Sequence, residues 1–506
     1  MSKDESNNSI ISGLFWRFGE RIGAQTVTFV VSLVIARILE PSAYGVISIL
    51  LVFITFADVF VTGGFGNALI QKKDADNLDF SSVFFFNIAF STVIFIVLFA
   101  IAPLVEFLYG EAYHGLAAAL RILAIRVPIT AINNVQQAYV SRKMIFKKFF
   151  FSTLLGTIGA AIIGIGMALM GMGIWAIVSQ YLFNAIVNTI FLWFTVRWRP
   201  EWEFSFARLK ILINYGWKLL AAQILDTTYN NIRTLIIGKI YTSEDLAYYN
   251  KGTQFPSLFI DSINTTIISV MFPAISSIQH DKIEIKRLVR KSVQVSSYII
   301  IPVMTGLAII SNPLIELILT DKWLPAVPYL QIFCLVYVLQ PITKANLQVI
   351  KAVGRSDLYL ILEIIKKVIG LSVFFIFMQK SVVAIAIGFA LSSILNCIMD
   401  MVISGKLINY AVREQIADML PPTLISFAMV ASMWGAGRIP LNSMLTMLIQ
   451  ILAGVAVYIS LSIITNNKNF EFIVQKIQYY IKAIVKRRHK YINRHVYIGR
   501  HDKTGG

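Results

Sequence analysis

Two stretches of the chain carry a similar polar pattern within apolar runs. The first reads PITAINNVQQAYVSRK at Pro128–Lys143, and the second reads PITKANLQVIKAVGRS at Pro341–Ser356. Ionisable groups at these places would each cost several kcal/mol if they faced lipid. The two stretches are therefore predicted to direct their polar side chains towards water or towards each other, where they could bind a polar, anionic ligand.

Polar residues recur at three- and four-residue spacing in four predicted helices, which places them on one face of each helix. They are Arg21, Gln25, Thr28 and Ser32 in the first helix, Arg126, Thr130, Asn133 and Gln137 in the fourth, Gln223, Asp226, Asn230 and Arg233 in the seventh, and Gln340, Lys344, Gln348 and Lys351 in the tenth. Most of their charged members are cations. The four faces are predicted to enclose a polar, mostly cationic cavity.

Some of these side chains are predicted to bind the substrate through charge or through amide hydrogen bonds. They are Arg21, Gln25, Arg126, Asn133, Gln137, Asn230, Arg233, Lys344 and Gln348. Two simpler roles stay open. An arginine near a helix end, such as Arg21, could extend to the lipid headgroups, and amides could join packed helices.

Acidic side chains inside the apolar runs form a second candidate set. Asp58 and Asp261 end the matching tripeptides FAD and FID of the second and eighth helices, and Glu20 lies in the first helix. A carboxylate in apolar surroundings can change its protonation state. The three are therefore candidates for taking up an ion within the membrane and so for ion coupling. The alternative for both aspartates is hydrogen bonding between packed helices.

The composition is typical of a membrane protein. Hydrophobic residues make up 57% of the 506 residues and charged residues 14%, whereas soluble proteins average about 25% charged residues. Apolar runs of about 20 residues, the length that spans a bilayer, recur along the chain. The first run contains Arg17, Glu20 and Arg21 and is followed by no small-residue cleavage site, so we expect a retained helix rather than a signal peptide.

The predicted spans are 14–39, 44–65, 81–108, 116–140, 149–170, 173–196, 212–238, 252–276, 293–319, 327–350, 358–379, 381–404, 418–437 and 443–464.

The charges of the loops between these spans predict the orientation of the spans. Loops after even-numbered spans carry Lys or Arg, as in SRKMIFKK, whereas the first loops after odd-numbered spans, such as EPSA and GMG, carry neither. Cations concentrate on the cytoplasmic side, so both termini are predicted to be cytoplasmic. The net charge of +18 follows this pattern and does not predict a nucleic-acid partner.

Internal similarity predicts two copies of a six-helix unit. Besides the two PIT stretches, VIARILEPSAYG at 34–45 resembles IIGKIYTSEDLAYY at 236–249. An even number of spans in each copy makes the repeats parallel. We predict an all-α integral membrane protein with an N-terminal six-helix lobe, a C-terminal six-helix lobe, two extra helices and a tail. Their ranges are 1–199, 200–407, 408–466 and 467–506.

The tail is predicted to be a basic amphipathic helix that lies on the anionic inner leaflet, with membrane lipids as its partner. Its apolar positions start at Phe470 and recur at helical spacing. The tail histidines His489, His495 and His501 are spaced by six, which fits no metal motif. The chain contains no G-x-x-x-x-G-K-[ST] phosphate loop. We expect no metal site, no cofactor and no direct use of ATP.

Three segments resemble the polysaccharide transporter family: LVIARILEPSAYG, VTGGFGNALIQKKD and SRKMIFKKF. This family of the MOP flippase superfamily includes Wzx-type O-antigen flippases and the colanic and teichuronic acid exporters. The resemblance covers residues 10–465 and implies a MATE-like fold in the bacterial cytoplasmic membrane. It also implies a flippase, not an enzyme, that moves an undecaprenyl-pyrophosphate-linked oligosaccharide by alternating access. Other glycan-assembly membrane proteins are possible partners.

Two other functions compete with this interpretation. A multidrug antiporter of the same superfamily would export cations and would need an acidic cavity, which Arg126, Arg233 and Lys344 disfavour. A membrane enzyme of polysaccharide assembly, such as a polymerase or a glycosyltransferase, would need a large loop outside the membrane or an acidic site beside it. The predicted outer loops are short, and the inner loops carry no nucleotide-sugar signature.

The predicted orientation can be tested with reporter fusions. A reporter fused after Lys148 or Arg290 should report the cytoplasm, because both follow even-numbered spans, and one fused after Glu111 or Ser243 should report the outside. Activities of an alkaline phosphatase and a fluorescent protein at each site provide the measurement. Finding Lys148 and Glu111 on the same side would contradict the fourteen-span topology.

Overall fold

The structure is a computed structural model that describes residues 23–62, 65–72, 74–143, 145–476 and 478. These residues form α-helices joined by short connections, and none of them forms a β-strand. The helices are α1 Gly23–Ile38, α2 Pro41–Thr62, α3 Phe65–Gln71, α4 Asn77–Tyr109, α5 Leu116–Ala124, α6 Arg126–Lys143, α7 Phe146–Leu169, α8 Ile174–Thr195, α9 Phe206–Ile240, α10 Ser243–Ser277, α11 Lys282–Ile309, α12 Ser311–Leu319, α13 Val327–Ala352, α14 Ser356–Phe377, α15 Val382–Ile408, α16 Val412–Ala436 and α17 Ser443–Ile464. Two short 3-10 helices, Glu111–Tyr113 and Asp321–Ala326, precede α5 and α13.

Among the described residues, eleven helical segments are long and apolar enough to cross a membrane. The prediction of an all-α membrane protein is thus confirmed, while the number of fourteen spans stays a prediction. The predicted spans 212–238 and 358–379 coincide with α9 and α14, which are helical but carry several charged residues within them. The predicted span 14–39 is described only from Gly23 onwards.

Two predicted spans are each built from two helices. The span 116–140 breaks at Ile125 between α5 and α6, and the span 293–319 breaks at Ile310 between α11 and α12. Pro128 contributes to the first break, because it has no N–H to donate to the carbonyl four residues earlier, although its predicted counterpart Pro341 lies within the continuous helix α13. The break places Arg126 at the beginning of α6, inside the span.

The N-terminal end of α4 is fixed by a capping box and a buried carboxylate. Asp76 accepts a bond from the backbone N–H of Asp79 at 3.0 Å, and Asp79 accepts one from that of Asp76 at 3.2 Å. The Asp79 side chain is fully buried, and both of its oxygens lie 2.7 Å from the Lys72 ammonium. Arg208 at the start of α9 also pairs with Asp76 and holds the pKa of that carboxyl below its usual value.

The connection between α8 and α9 runs along the same helix start. Ser81 and Ser82, both buried, accept hydrogen bonds at 3.0 Å from the backbone N–H groups of Glu201 and Ser205. Trp198 packs into an apolar cluster with Phe80 and Phe84. The connection between the two predicted repeats is therefore hydrogen-bonded to the start of α4 in the first repeat.

The chain forms two compact units. Unit 1 comprises the described residues up to Gly252 together with Ile315–Tyr329 and Ser372–Ala386, and unit 2 comprises Thr253–Leu314, Leu330–Leu371 and the described residues from Ile387 onwards. The predicted lobe boundaries 199/200 and 407/408 stay predictions. Helix α9, which begins the second predicted repeat, lies in unit 1.

In unit 2 the helices α16 and α17 pack on α11 through aromatic hydroxyls. The Tyr298 hydroxyl lies 2.7 Å from the Ser462 hydroxyl, and the Tyr458 hydroxyl donates to the Tyr298 carbonyl at 2.8 Å. A helix over 468–476 follows α17, and its apolar Phe470 and Ile473 pack against this cluster. The first turns of the predicted lipid-bound tail therefore contact the protein itself, and most of the tail, including its three histidines, lies outside the described residues.

Loss of the buried carboxylate at the start of α4 should destabilise the protein. Asp79→Ala removes one half of the capping box and leaves Lys72 without this partner, and breaking a buried ion pair typically costs about 3–5 kcal/mol. Melting of the detergent-solubilised protein, followed by size-exclusion chromatography, should show a clearly lower midpoint. Asp74→Ala, an exposed carboxylate in the same loop, is the control and should melt like the unaltered protein.

Candidate functional site

An ion pair inside the membrane joins two helices of unit 1. The Arg126 Nη1 atom at the beginning of α6 donates to the Asp58 Oδ2 atom of α2 at 2.7 Å. About a quarter of each side chain is exposed. The structure thus brings together a predicted substrate-binding cation and a predicted ion-coupling carboxylate, which the sequence analysis placed in separate sets.

The pair is incompletely satisfied. The second carboxylate oxygen of Asp58, Oδ1, is buried and has no hydrogen-bond partner among the described residues. Two turns further along α6, Asn133 is buried, and its Oδ1 atom also has no partner within the described ranges. Buried polar atoms in proteins are normally hydrogen-bonded. The site therefore retains acceptor capacity that a proton, water or a ligand hydroxyl can use.

The polar face of α6 continues from this pair towards the predicted cytoplasmic end. The Thr130 hydroxyl donates back to the Arg126 carbonyl at 2.9 Å, and Gln137 is half-buried. By contrast, Asn134 and Gln136 donate to the backbone carbonyls of Val61 and Trp198 at 2.9 Å and 3.2 Å. Those two amides pack helices together, so the free polar face of α6 is narrower than its amide content suggests.

The predicted polar face of α9 also belongs to unit 1, where α9 packs beside α2. Asn230 is exposed and donates to the Asp226 carboxylate at 3.1 Å. The half-buried Arg233 guanidinium lies 5.4 Å from the ring centroid of Tyr229. Gln25 of α1 is half-buried. The predicted site residues Glu20 and Arg21 lie outside the described residues.

In unit 2 the predicted site residues lie in different surroundings. On α13, Lys344 is half-buried and Gln348 is buried. Gln340 accepts a hydrogen bond from Asn264 of α10 at 2.7 Å, which ties this part of the polar face to a neighbouring helix. Asp261 is exposed on α10, whereas only about a quarter of the side chain of its predicted counterpart Asp58 is exposed. The repeat-related acids are thus not equivalent in the structure.

Sequence reasoning missed a buried charge cluster in unit 2. The Lys366 ammonium of α14 lies 2.6 Å from Glu363 on the same helix and 3.1 Å from Asp400 of α15, whose side chain is fully buried. The sequence analysis did not consider Asp400, although an aspartate inside the strongly apolar helix α15 is a signal that could have revealed it.

Among the described residues, no group of histidine, cysteine or acidic side chains could hold a metal ion.

Each unit therefore holds a cation on a carboxylate of a neighbouring helix. In unit 1 the cation is Arg126 and its carboxylate is Asp58, and in unit 2 the cation is Lys366 and its carboxylate is Asp400. Charge-assisted bonds of this kind are strong where water is scarce. A cation so placed can exchange its carboxylate for another oxyanion, such as a phosphate, without becoming unpaired.

Comparison with known proteins assigns the chain to a family. Residues 34–328 match the model of the family described as "Polysaccharide biosynthesis protein". The teichuronic acid biosynthesis protein TuaB of Bacillus subtilis (strain 168) is 24% identical over 417 residues, which cover 80% of this chain and 85% of TuaB. The lipopolysaccharide biosynthesis protein WzxC of Escherichia coli (strain K12) is 24% identical over 438 residues, which cover 83% of this chain and 87% of WzxC.

A solved structure shows the same fold. The lipid II flippase MurJ, in an inward closed conformation, superimposes with a TM-score of 0.73 over 90% of this chain and 99% of its own, at 15% sequence identity. At that identity the likeness establishes the fold alone. The match over residues 34–328 confirms the resemblance that the N-terminal motifs indicated, and the chain belongs to the polysaccharide biosynthesis protein family, whose flippase members are of the Wzx type.

Proposed function

We propose that the protein is a transporter that moves an undecaprenyl-pyrophosphate-linked oligosaccharide across the bacterial cytoplasmic membrane by alternating access. Its membership of the polysaccharide biosynthesis family and its flippase-like fold support transport of a lipid-linked glycan. One observation within the chain carries the finer proposal. It is the embedded, incompletely satisfied ion pair between Arg126 and Asp58.

In this mechanism the pyrophosphate replaces the Asp58 carboxylate on Arg126. The guanidinium presents a planar donor set that matches phosphate oxygens, and Asp58 keeps that cation paired while no substrate is present. Once displaced, Asp58 becomes a buried carboxylate without its counterion, and taking up a proton removes the cost of that charge. Substrate binding and proton uptake are thereby coupled at one side chain, and Asp261 and Glu20 stay further coupling candidates.

The remaining predicted site residues complete the binding surface. Arg21, Arg233 and Lys344 supply further cations for the pyrophosphate. Amides suit the sugar hydroxyls, because an amide both donates and accepts hydrogen bonds; these are Gln25, Asn133, Gln137, Asn230 and Gln348. The polyprenyl chain stays in the lipid during transport.

The competing functions fit these observations less well. An antiporter for cationic drugs would require free carboxylates, whereas Asp58 and Asp400 are both engaged by cations. An enzyme of polysaccharide assembly would require a reaction site, and MurJ, whose fold this chain shares, is a flippase. Genes for glycosyltransferases beside the gene of this protein would further support glycan export.

The first prediction separates substrate binding by Arg126 from its structural pairing. Arg126→Ala should reduce glycan export by about tenfold or more, since a hydrogen bond to a charged group contributes about 1.5–3 kcal/mol. It should also lower the amount of protein, because Asp58 then lacks its partner. The double variant Arg126→Ala/Asp58→Asn should restore the amount of protein but not export, measured as lipid-linked glycan on the outer leaflet of cells lacking the native gene.

Two outcomes would contradict this role of Arg126. Full export by the double variant would show that the pair only stabilises the helices. Loss of export in the control Arg121→Ala would show that any arginine in this span matters, since Arg121 of α5 contacts the Phe99 carbonyl and ring rather than Asp58. Normal export by a triple alanine variant at Arg126, Arg233 and Lys344 would contradict a cationic binding surface altogether.

The second prediction concerns ion coupling by the two aspartates. Asp58→Asn keeps the size and hydrogen bonding of the side chain but cannot titrate, so export should no longer respond to an imposed pH gradient. Asp261→Asn tests the repeat-related candidate in the same assay. Export that still follows the gradient in both variants, at unchanged protein amounts, would leave the two carboxylates as packing residues.

A further inference from the structure

Two short segments, one in each predicted repeat, share a sequence pattern and a local backbone structure. The first reads PLVEFLYGEAY at 103–113, and the second reads PLIELILTDKW at 313–323. In each segment a residue with a positive φ angle precedes a 3-10 helix, namely Gly110 with 79° and Thr320 with 83°. The aromatic residues that end the two segments therefore occupy matching positions.

The aromatic residue of the second segment is hydrogen-bonded to the end of α1. Trp323 is fully buried and donates from Nε1 to the Ala36 carbonyl at 2.8 Å. The ammonium of the preceding Lys322 lies 3.5 Å from the Ile38 carbonyl of the same helix end. A segment of the second predicted repeat thus holds the first helix of the first repeat.

The aromatic residue of the first segment packs on the matching helix of the other repeat. Tyr113 is 1% exposed, and a Cβ atom added at Gly238 of α9 would lie 2.9 Å from its hydroxyl oxygen. Gly238 matches Ala36 when 236–249 is aligned with 34–45. Each segment therefore lies on the first helix of the other predicted repeat, and both contacts belong to unit 1.

The two matching contacts differ in their hydrogen bonds. The buried Tyr113 hydroxyl has no partner within the part of the chain that the structure describes. The ring centroid of Tyr109 lies 5.2 Å away, and its hydroxyl donates to the Leu235 carbonyl of α9 at 3.1 Å. A buried polar group without a hydrogen bond is costly, and water could satisfy it once the helix ends separate. The Tyr113 hydroxyl thus opposes the closed packing that Tyr109 and Trp323 stabilise.

Both contacts lie at helix ends that the topology prediction places outside. In the same region a Cβ atom added at Gly45 near the start of α2 would lie 1.9 Å from the Ser243 carbonyl oxygen at the start of α10. Only glycine allows this approach, so these helix ends are closely packed. We call the contacts of Trp323 with α1, of Tyr109 and Tyr113 with α9, and of Gly45 with Ser243 the outer gate.

We propose that the outer gate is stabilised by Trp323 and weakened by its counterpart Tyr113. The indole bond stabilises the closed arrangement, whereas the unpaired phenol hydroxyl brings that arrangement closer in free energy to an open one. The inference rests on the proposed alternating access, and it assigns opposite effects on opening to two matching residues. Two aromatic residues that only filled space between helices would act alike, since replacing either would loosen the gate.

The test measures opening directly and without substrate. Ser243 is 3% exposed, so Ser243→Cys is a shielded and nearly isosteric reporter in a background where the buried Cys334 and Cys397 are replaced by alanine. The rate at which a membrane-impermeant maleimide labels this cysteine from outside reports how often the gate opens.

Two neighbouring tyrosines provide a matched comparison. Tyr113→Phe should slow labelling by about fivefold or more, because it removes a buried hydroxyl that has no partner among the described residues. Tyr109→Phe makes the same chemical change in the adjacent ring, but it removes the bond to the Leu235 carbonyl. It should therefore speed labelling by about three- to tenfold.

Further variants calibrate the assay. Trp323→Phe keeps a ring but loses the bond to Ala36, so it should label faster than the unaltered gate. Gly45→Ala introduces a Cβ that the closed arrangement cannot accommodate, and it should also label faster. Gly166→Ala is the control, because a Cβ added there has no neighbour within 4 Å, and it should not change the labelling rate.

The outcomes separate the outer gate from the transport function. Unchanged or faster labelling in Tyr113→Phe would overturn the proposal, even where glycan export by the unaltered protein supports the proposed function. Slower labelling in Tyr113→Phe together with faster labelling in Tyr109→Phe would support it, and this pair decides the question even if Trp323→Phe yields no folded protein. The same result without glycan export by the unaltered protein would support the gate and overturn the proposed substrate.

Discussion

A charge inside a bilayer must have a partner, and this constraint accounts for most of what distinguishes the chain from an ordinary helical membrane protein. Lipid offers neither water nor a counterion, so each embedded ionisable group needs one from the protein. Arg126 obtains Asp58, Lys366 obtains Glu363 and Asp400, and Lys251 lies against aromatic faces and a carbonyl. Each of these interactions links separate helices, so the pairing of charges also determines which helices are held together.

The interactions of Lys366 and Arg126 differ in how readily another anion can replace the carboxylate. The Lys366 cluster is buried and has two carboxylates for one ammonium, which makes it stable in place. The Arg126 pair is partly exposed and leaves one carboxylate oxygen without a hydrogen bond among the described residues. Exchange with an anionic substrate is therefore expected at Arg126 rather than at Lys366. This contrast favours Arg126 over Lys366 as a cation that binds the substrate.

Much of the architecture is predictable because apolar length and loop charge are local properties of the sequence. Spans such as 81–108 and 443–464 correspond closely to α4 and α17. The breaks at Ile125 and Ile310 were not predicted, although Pro128 and Pro313 lie just beyond them, because prolines also occur inside continuous helices such as α4 and α13. The periodicity of α6 identified its polar face, but it could not tell that Asn134 and Gln136 are bonded to backbone carbonyls.

The pairing of residues that are far apart in the sequence was the property hardest to predict from the sequence. Asp58 and Arg126 were each recognised as unusual, yet spacing along the chain cannot show that two helices bring them together. The spacing of Glu363 and Lys366 fits a pair on one helix face, but only the structure shows that Asp400 of α15 binds the same ammonium. The partner on another helix could not be found from spacing along the chain.

The bound connection between α8 and α9 has a consequence for dividing the protein. Internal repeats invite expression of the two halves as separate polypeptides, cut between Arg199 and Pro200. Here the segment beyond the cut is fastened to Ser81 and Ser82 of the first half, and α9 packs on α2. A second half made alone would expose the surface of α9 that α2 covers. Such halves should be stable only when they are synthesised together, because the beginning of the second half packs on the first.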